Sequence, residues 1–217
     1  MSTTVISSAH GITSPSSGQR FTLPKFGMLV FLASEAMLFA GLIGGYIVLR
    51  IAQGQGNWPP PGAPEIGVKI PPTFLNWVMI ANTIILLSSS MTYHWGEVRM
   101  RKGGSGLIGY ALTALFGVIF LGVQAWEWMH LKHEGMWFNT YGTYGSCFFT
   151  MTGFHGLHVF LGLLAILLTV WRSALRQMKL FSGQTPDPSH TFEELTGYYW
   201  HFVDVVWIFL YSILYVL

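Results

Sequence analysis

Charge is what this sequence has least of. Only 9% of its 217 residues are Asp, Glu, Lys or Arg, against roughly 25% in an average soluble domain, which excludes water as the main solvent of the folded chain. Eleven basic residues stand against nine acidic ones, and their clusters fall at the ends of apolar runs. No extended cationic surface results, so nucleic acid is not an expected partner. Cysteine is nearly absent. Cys147 is the single one, which excludes an internal disulfide, a CxxC redox pair and a thiolate metal cluster, and a small buried apolar role is expected for it. The opening stretch MSTTVISSAHGITSPSSGQR lacks both a basic start and a hydrophobic core, so residues 1–24 are expected to form a flexible tail and not a signal peptide. No repeat of fixed period and no second domain are visible.

What is there is apolar: 52% of the residues are hydrophobic and 16% aromatic. Crossing a hydrocarbon layer about 30 Å thick takes about 20 such residues in a helix, at about 1.5 Å each. Five runs meet that length, at about residues 25–50, 73–95, 106–129, 146–171 and 191–217. The predicted fold is an all-α, polytopic integral membrane protein, a bundle of five transmembrane helices formed by residues 25–217. Orientation follows from the positive residues, which are retained on the cytoplasmic side. Arg20, Lys25, Arg99, Arg101, Lys102, Arg172, Arg176 and Lys179 fall on one side, and only Arg50, Lys69 and Lys132 on the other. The amino terminus is therefore expected inside and the carboxyl terminus outside. Trp58, Trp77, Trp95, Trp137 and Trp171, at the span ends, suit the headgroup region.

An ionisable side chain at mid-membrane costs at least about 2.5 to 3.5 kcal/mol unless partnered, so the polar residues inside the spans need an explanation. Glu35, in SEAMLFAG, lies about ten residues into the first span. An apolar setting favours the uncharged carboxyl, so it is expected either to exchange a proton or to pack by a hydrogen bond. In QAWEWMH, Gln124, Glu127 and His130 are spaced by threes and share a helix face. Glu-x-x-His is half of a di-iron bundle pattern, but no second such pair exists. In GFHGLHV, His155 and His158 lie about 60° apart on a helix, and WHFVDVVW places His201 three residues before Asp204. On spacing alone this set reads either as a His-plus-carboxylate metal cluster between the last two helices or as a seam of interhelical hydrogen bonds. The second reading is the expectation.

SEAMLFAG, LGVQAWEW, YGSCFFTMTGFHGLHVFLGL and YYWHFVDVVWIFLY, in this order, resemble subunit III of the haem–copper oxidases in its five-helix bacterial form. The resemblance covers about Phe26 to Leu217. It implies an accessory subunit of a proton-pumping respiratory terminal oxidase, without haem or copper of its own. Those centres would lie in partner subunits I and II, with a small subunit IV as a further neighbour and phospholipid as a bound ligand. It implies that the chain packs on subunit I, protects it during turnover and supports proton uptake, in a bacterial inner membrane. By position Glu35 matches the family's carbodiimide-reactive carboxyl, Glu127 the acid after its Gln-Ala, and His155, His158, His201 and Asp204 its histidine and aspartate motifs, with structural hydrogen bonding implied for the histidines. Mitochondrial-type members carry two further helices before the SE motif, so this chain alone is not expected to form their complete lipid cleft. The competing readings are a quinol oxidase subunit or a nitric-oxide-reductase-associated homologue and, from another class, a free-standing di-metal membrane enzyme. A small proton-coupled transporter is disfavoured, because the five unequal spans show no inverted repeat.

Overall fold

A computed structural model describes residues 23–54, 57–64, 66, 74–181 and 190–216. Most of the expected amino-terminal tail, and all of the loop FSGQTPDPS but its first residue, Phe181, lie outside the described residues. Among the described residues all regular structure is helical: α1 (Leu23–Gln53), α2 (Phe74–Arg101), α3 (Leu107–His133), α4 (Thr143–Phe181) and α5 (Thr191–Tyr211), the last continuing as one π-helical turn, Ser212–Val216. All five are long and apolar enough to cross a membrane.

Helices α1 to α4 outrun the apolar spans, most of all α4, expected at about 146–171 and observed from Thr143 to Phe181. Leaving hydrocarbon does not end a helix when its polar extension finds partners. Ser173 donates to the Ser105 carbonyl, Ser105 donates to Gln177, and Arg172 bonds Glu193 at 3.2 Å. These contacts dock the extension on the α2–α3 turn and on α5. The basic end of α2 likewise stays helical, with Arg101 reaching Glu97 one turn back at 2.7 Å.

Helices α2, α3, α4 and α5 pack in sequence, and α5 closes back on α2; α1 lies outside this ring, against α4 and α5. The axis of the ring is Trp200, fully buried, its indole N–H donating to Ser89 of α2 at 2.8 Å. Gly117 of α3 and Gly162 of α4 make room for it: a Cβ at either would stand 3.1 Å and 2.9 Å from the indole. One tryptophan thereby touches every helix of the ring. Trp207, two turns on, is also fully buried and donates to Thr83 of α2 at 3.1 Å.

At one end of the bundle an ion-pair clasp ties four helices. Lys25 of α1 meets Glu194 at 2.6 Å, Arg101 of α2 meets the same carboxylate at 2.9 Å, and Arg172 of α4 bonds Glu193. The Tyr93 hydroxyl donates to the Glu193 carbonyl at 2.7 Å. This is the end that the charge bias assigns to the inside. Between the two ends of the bundle the outer surface is largely apolar, with Met37, Met91 and Ile108 among its exposed side chains, as lipid contact requires.

Candidate intramembrane polar sites

Glu35 is not the lone carboxyl that its sequence surroundings suggest. Its Oε2 lies 2.9 Å from Nε2 of His158 on α4, and both side chains are largely withdrawn from the surface. The other ring nitrogen, Nδ1, is 2.7 Å from the Phe154 carbonyl one turn back. A carbonyl only accepts, so Nδ1 carries a hydrogen. Nε2 then either accepts a proton from a neutral Glu35 or, as an imidazolium, donates to its carboxylate. Either way one proton lies between the two residues and the pair is neutral overall, which meets the cost of placing both in lipid. Phe39 covers the imidazole edge-on at 5.0 Å, and Tyr199 stacks on it while donating to the His158 carbonyl at 3.1 Å.

Glu127 is fully buried. Gln124 donates to it at 2.5 Å, and Tyr215 of the final π-helical turn reaches both carboxyl oxygens at 3.0 and 2.9 Å. His130, expected on the same face, turns away: it stacks on Trp126 and lies 3.4 Å from Glu134. Four residues separate Trp126 from His130 and four separate His130 from Glu134. One turn of helix therefore satisfies the histidine outside the core, and Glu127 and His130 do not form a ligand pair.

The expected seam joining His155, His158, His201 and Asp204 is not formed. His201 and Asp204 face α2, where Ser90 stands between them. The Ser90 hydroxyl is 2.8 Å from His201 Nδ1 and donates to Asp204 Oδ2. His155 makes no hydrogen bond through either ring nitrogen among the described residues. It lies flat on Trp207 at 4.8 Å, with Phe120 and Phe39 edge-on. Spacing placed the right residues on common helix faces, but α1 and α2 supply the partners where α5 and α4 were expected. Among the described residues no three of His, Cys, Asp and Glu come together as a metal-binding group.

The His155 environment reverses one expectation. A buried polar group without a partner costs about 1–3 kcal/mol, so His155→Phe, which keeps an aromatic ring on Trp207, is expected to leave the melting temperature of the purified protein unchanged or to raise it. A marked drop would mean that the imidazole nitrogens are satisfied and that the stacking is incidental.

Sequence reasoning missed Ser90, Tyr199 and Tyr215. The only signal for Ser90 was a serine run, LLSSSMTYH, in an otherwise apolar helix.

Comparison with known proteins covers nearly the whole chain. Residues 16–217 match the family described as Cytochrome c oxidase subunit III. The chain is similar to Cytochrome c oxidase subunit 3 of Thermostichus vulcanus, 42% identical over 88% of this chain and 86% of that protein. It is also similar to the protein of the same name in Synechocystis sp., 40% identical over 90% of this chain and 76% of that one. Probable cytochrome c oxidase subunit 3 of Mycobacterium tuberculosis (strain ATCC 25618 / H37Rv) is 35% identical over 98% of this chain and 94% of its own length.

Proposed function

Because this chain belongs to the cytochrome c oxidase subunit III family, we propose that it is the accessory, cofactor-free subunit of a proton-pumping terminal oxidase that passes electrons from cytochrome c to O2. In this reading it stabilises subunit I, supports proton uptake, and sits beside subunit II and a small subunit IV in a bacterial inner membrane, with bound phospholipid. Its amino terminus is inside and its carboxyl terminus outside. The observation that carries the reading is the match over residues 16–217. The geometry supports it, because the three carboxyls placed in the membrane are used to join helices: Glu35 to His158, Glu127 to Tyr215 and Asp204 to Ser90. Side chains occupied in this way are poor candidates for ligands, since a metal would compete with bonds already made. Glu35, Glu127, His155, His158, His201 and Asp204 are assigned as intramembrane polar residues at helix interfaces.

The test is to solubilise the complex in mild detergent, identify its subunits and assay metals on the separated chain. The expected result is co-purification with haem-bearing and copper-bearing subunits and no stoichiometric iron or copper on this chain. A copper-free subunit II would transfer the assignment to a quinol oxidase. A tightly held metal, stoichiometric with the chain and lost in His155→Ala, would overturn the accessory reading.

A further inference from the structure

A line of polar side chains runs from the ion-pair clasp at the inner end to the middle of the bundle, between α2 and α5. On α2, Ser90, His94, Glu97 and Arg101 fall within about 60° of one another around the helix and span about 16 Å along it, half the hydrocarbon thickness. On α5 the same level is occupied by Glu194 at the clasp and, inward, by His201 and Asp204. Members at the two ends of the line meet. Arg101 bonds Glu97 and Glu194, and His94 lies 4.0 Å from Glu97. His94 and His201 line one open groove of about 540 Å³, together with Ser90, Met91, Trp95 and Val98. His201 continues through Ser90 to Asp204.

Three features mark the end of this line as a site and not as a fold contact alone. Asp204 is only 4% exposed, and its Oδ1 has no hydrogen-bond partner among the described residues. A carboxyl needed only as a joint would be satisfied at both oxygens or replaced by an amide. The order of the three groups is also telling. In nucleophilic catalysis the histidine stands between the hydroxyl and the carboxylate, whereas here the hydroxyl stands between the histidine and the carboxylate. Ser90 cannot be activated that way, but it can pass a proton, since a hydroxyl accepts and donates at once. Finally, among the described residues the line stops. The next polar contact outward is the Trp207 indole N–H to Thr83, and an indole nitrogen donates but does not accept.

We propose that His201, Ser90 and Asp204 form a dead-end proton store, filled from the inner aqueous side along the polar face of α2 that carries Glu97 and His94. A proton taken from water or from His94 binds His201 Nε2. The Nδ1 hydrogen passes to Ser90 Oγ as the Ser90 hydrogen passes to Asp204 Oδ2, so one carboxylate becomes one carboxylic acid and His201 returns to a neutral ring. Emptying reverses each transfer, and no net charge crosses the membrane. Only the assignment of the inner side rests on the proposed function.

The experiment records the infrared carboxylic-acid C=O band of the full chain, in vesicles or in the complex with which it purifies, after transfer into heavy water. Asp204→Asn is expected to remove one such band, the one that shifts fast on exchange in the parent. Ser90→Ala, which keeps both end groups and cuts the bridge, is expected to slow that shift by about 10²-fold. His201→Gln should slow it similarly. Absence of an Asp204 band, or an exchange rate indifferent to Ser90→Ala and His201→Gln, overturns the proposal. Because oxygen reduction is not the readout, a failed subunit assignment leaves this measurement intact, and a failed relay leaves co-purification with the oxidase intact.

Discussion

Gly109→Ala is expected to separate α2 from α3 at a large cost in stability. A Cβ at Gly109 would stand 2.5 Å from Gly96 Cα, 2.7 Å from Gly96 N and 2.8 Å from the Thr92 carbonyl oxygen. All three are backbone atoms, so no change of rotamer relieves the contact and one helix must move. Overpacking typically costs about 1–3 kcal/mol where side chains can adjust; here the loss should reach about 3 kcal/mol or more. Moving the helices apart also strains the bonds across the same contact, Thr92 to Thr113 at 2.8 Å and Thr113 to the Ser89 carbonyl at 3.3 Å. The control is Gly122→Ala on the same helix. Nothing lies within 4 Å of a Cβ there, and alanine is the better helix former by about 1 kcal/mol. Thermal unfolding of both variants in detergent should give shifts of opposite sign. Equal behaviour would show that α2 and α3 do not pack as closely as these glycines imply.

This contrast bears on how much of the molecule could be read in advance. The five membrane helices were legible, because hydrocarbon imposes a length and a composition on anything that crosses it. Their true ends were not, because what keeps α4 helical past Trp171 is contact with Ser105 and Glu193, far away in the chain. The polar sites divide in the same way. Periodicity shows that His155 and His158 share a helix face, but not which helix lies opposite. His158 finds its partner 123 residues earlier, on α1. Ser90 gave little warning, since a serine in a helix commonly bonds its own backbone, as Ser88 and Ser89 do here. Which neighbour each face meets is set by the ring order of the helices, with α1 outside, and no local pattern encodes that order.

At Glu35, whose partner lies on α4, Glu35→Leu and Glu35→Gln are expected to differ sharply. Helix α1 is the least embedded of the five. Only Phe39 and Tyr46 on it are fully buried, and its polar ties to the ring beyond Glu35 are near its ends, Lys25 to Glu194 and Gln53 to Thr143. The Glu35–His158 bond therefore holds its centre. Leucine leaves His158 Nε2 without a partner inside the membrane, at a cost of about 1–3 kcal/mol, and α1 should loosen from α4 and α5. Glutamine places an amide N–H where the shared proton lay, so Nε2 keeps a donor and α1 should remain docked. If the chain is an accessory subunit, the assembled Glu35→Gln oxidase should retain most of its initial oxygen consumption. Any change should be confined to proton uptake or to endurance during turnover, whereas Glu35→Leu should inactivate faster or lose the subunit. Glutamine cannot release a proton, so a slowed proton uptake in Glu35→Gln with α1 still docked would locate a transferable proton in this pair. The measurements are oxygen consumption, proton uptake and inactivation rate on complexes whose subunit content has first been verified. Complete loss of oxygen reduction in fully assembled Glu35→Gln would make this carboxyl part of an essential proton route, and the accessory assignment would fall.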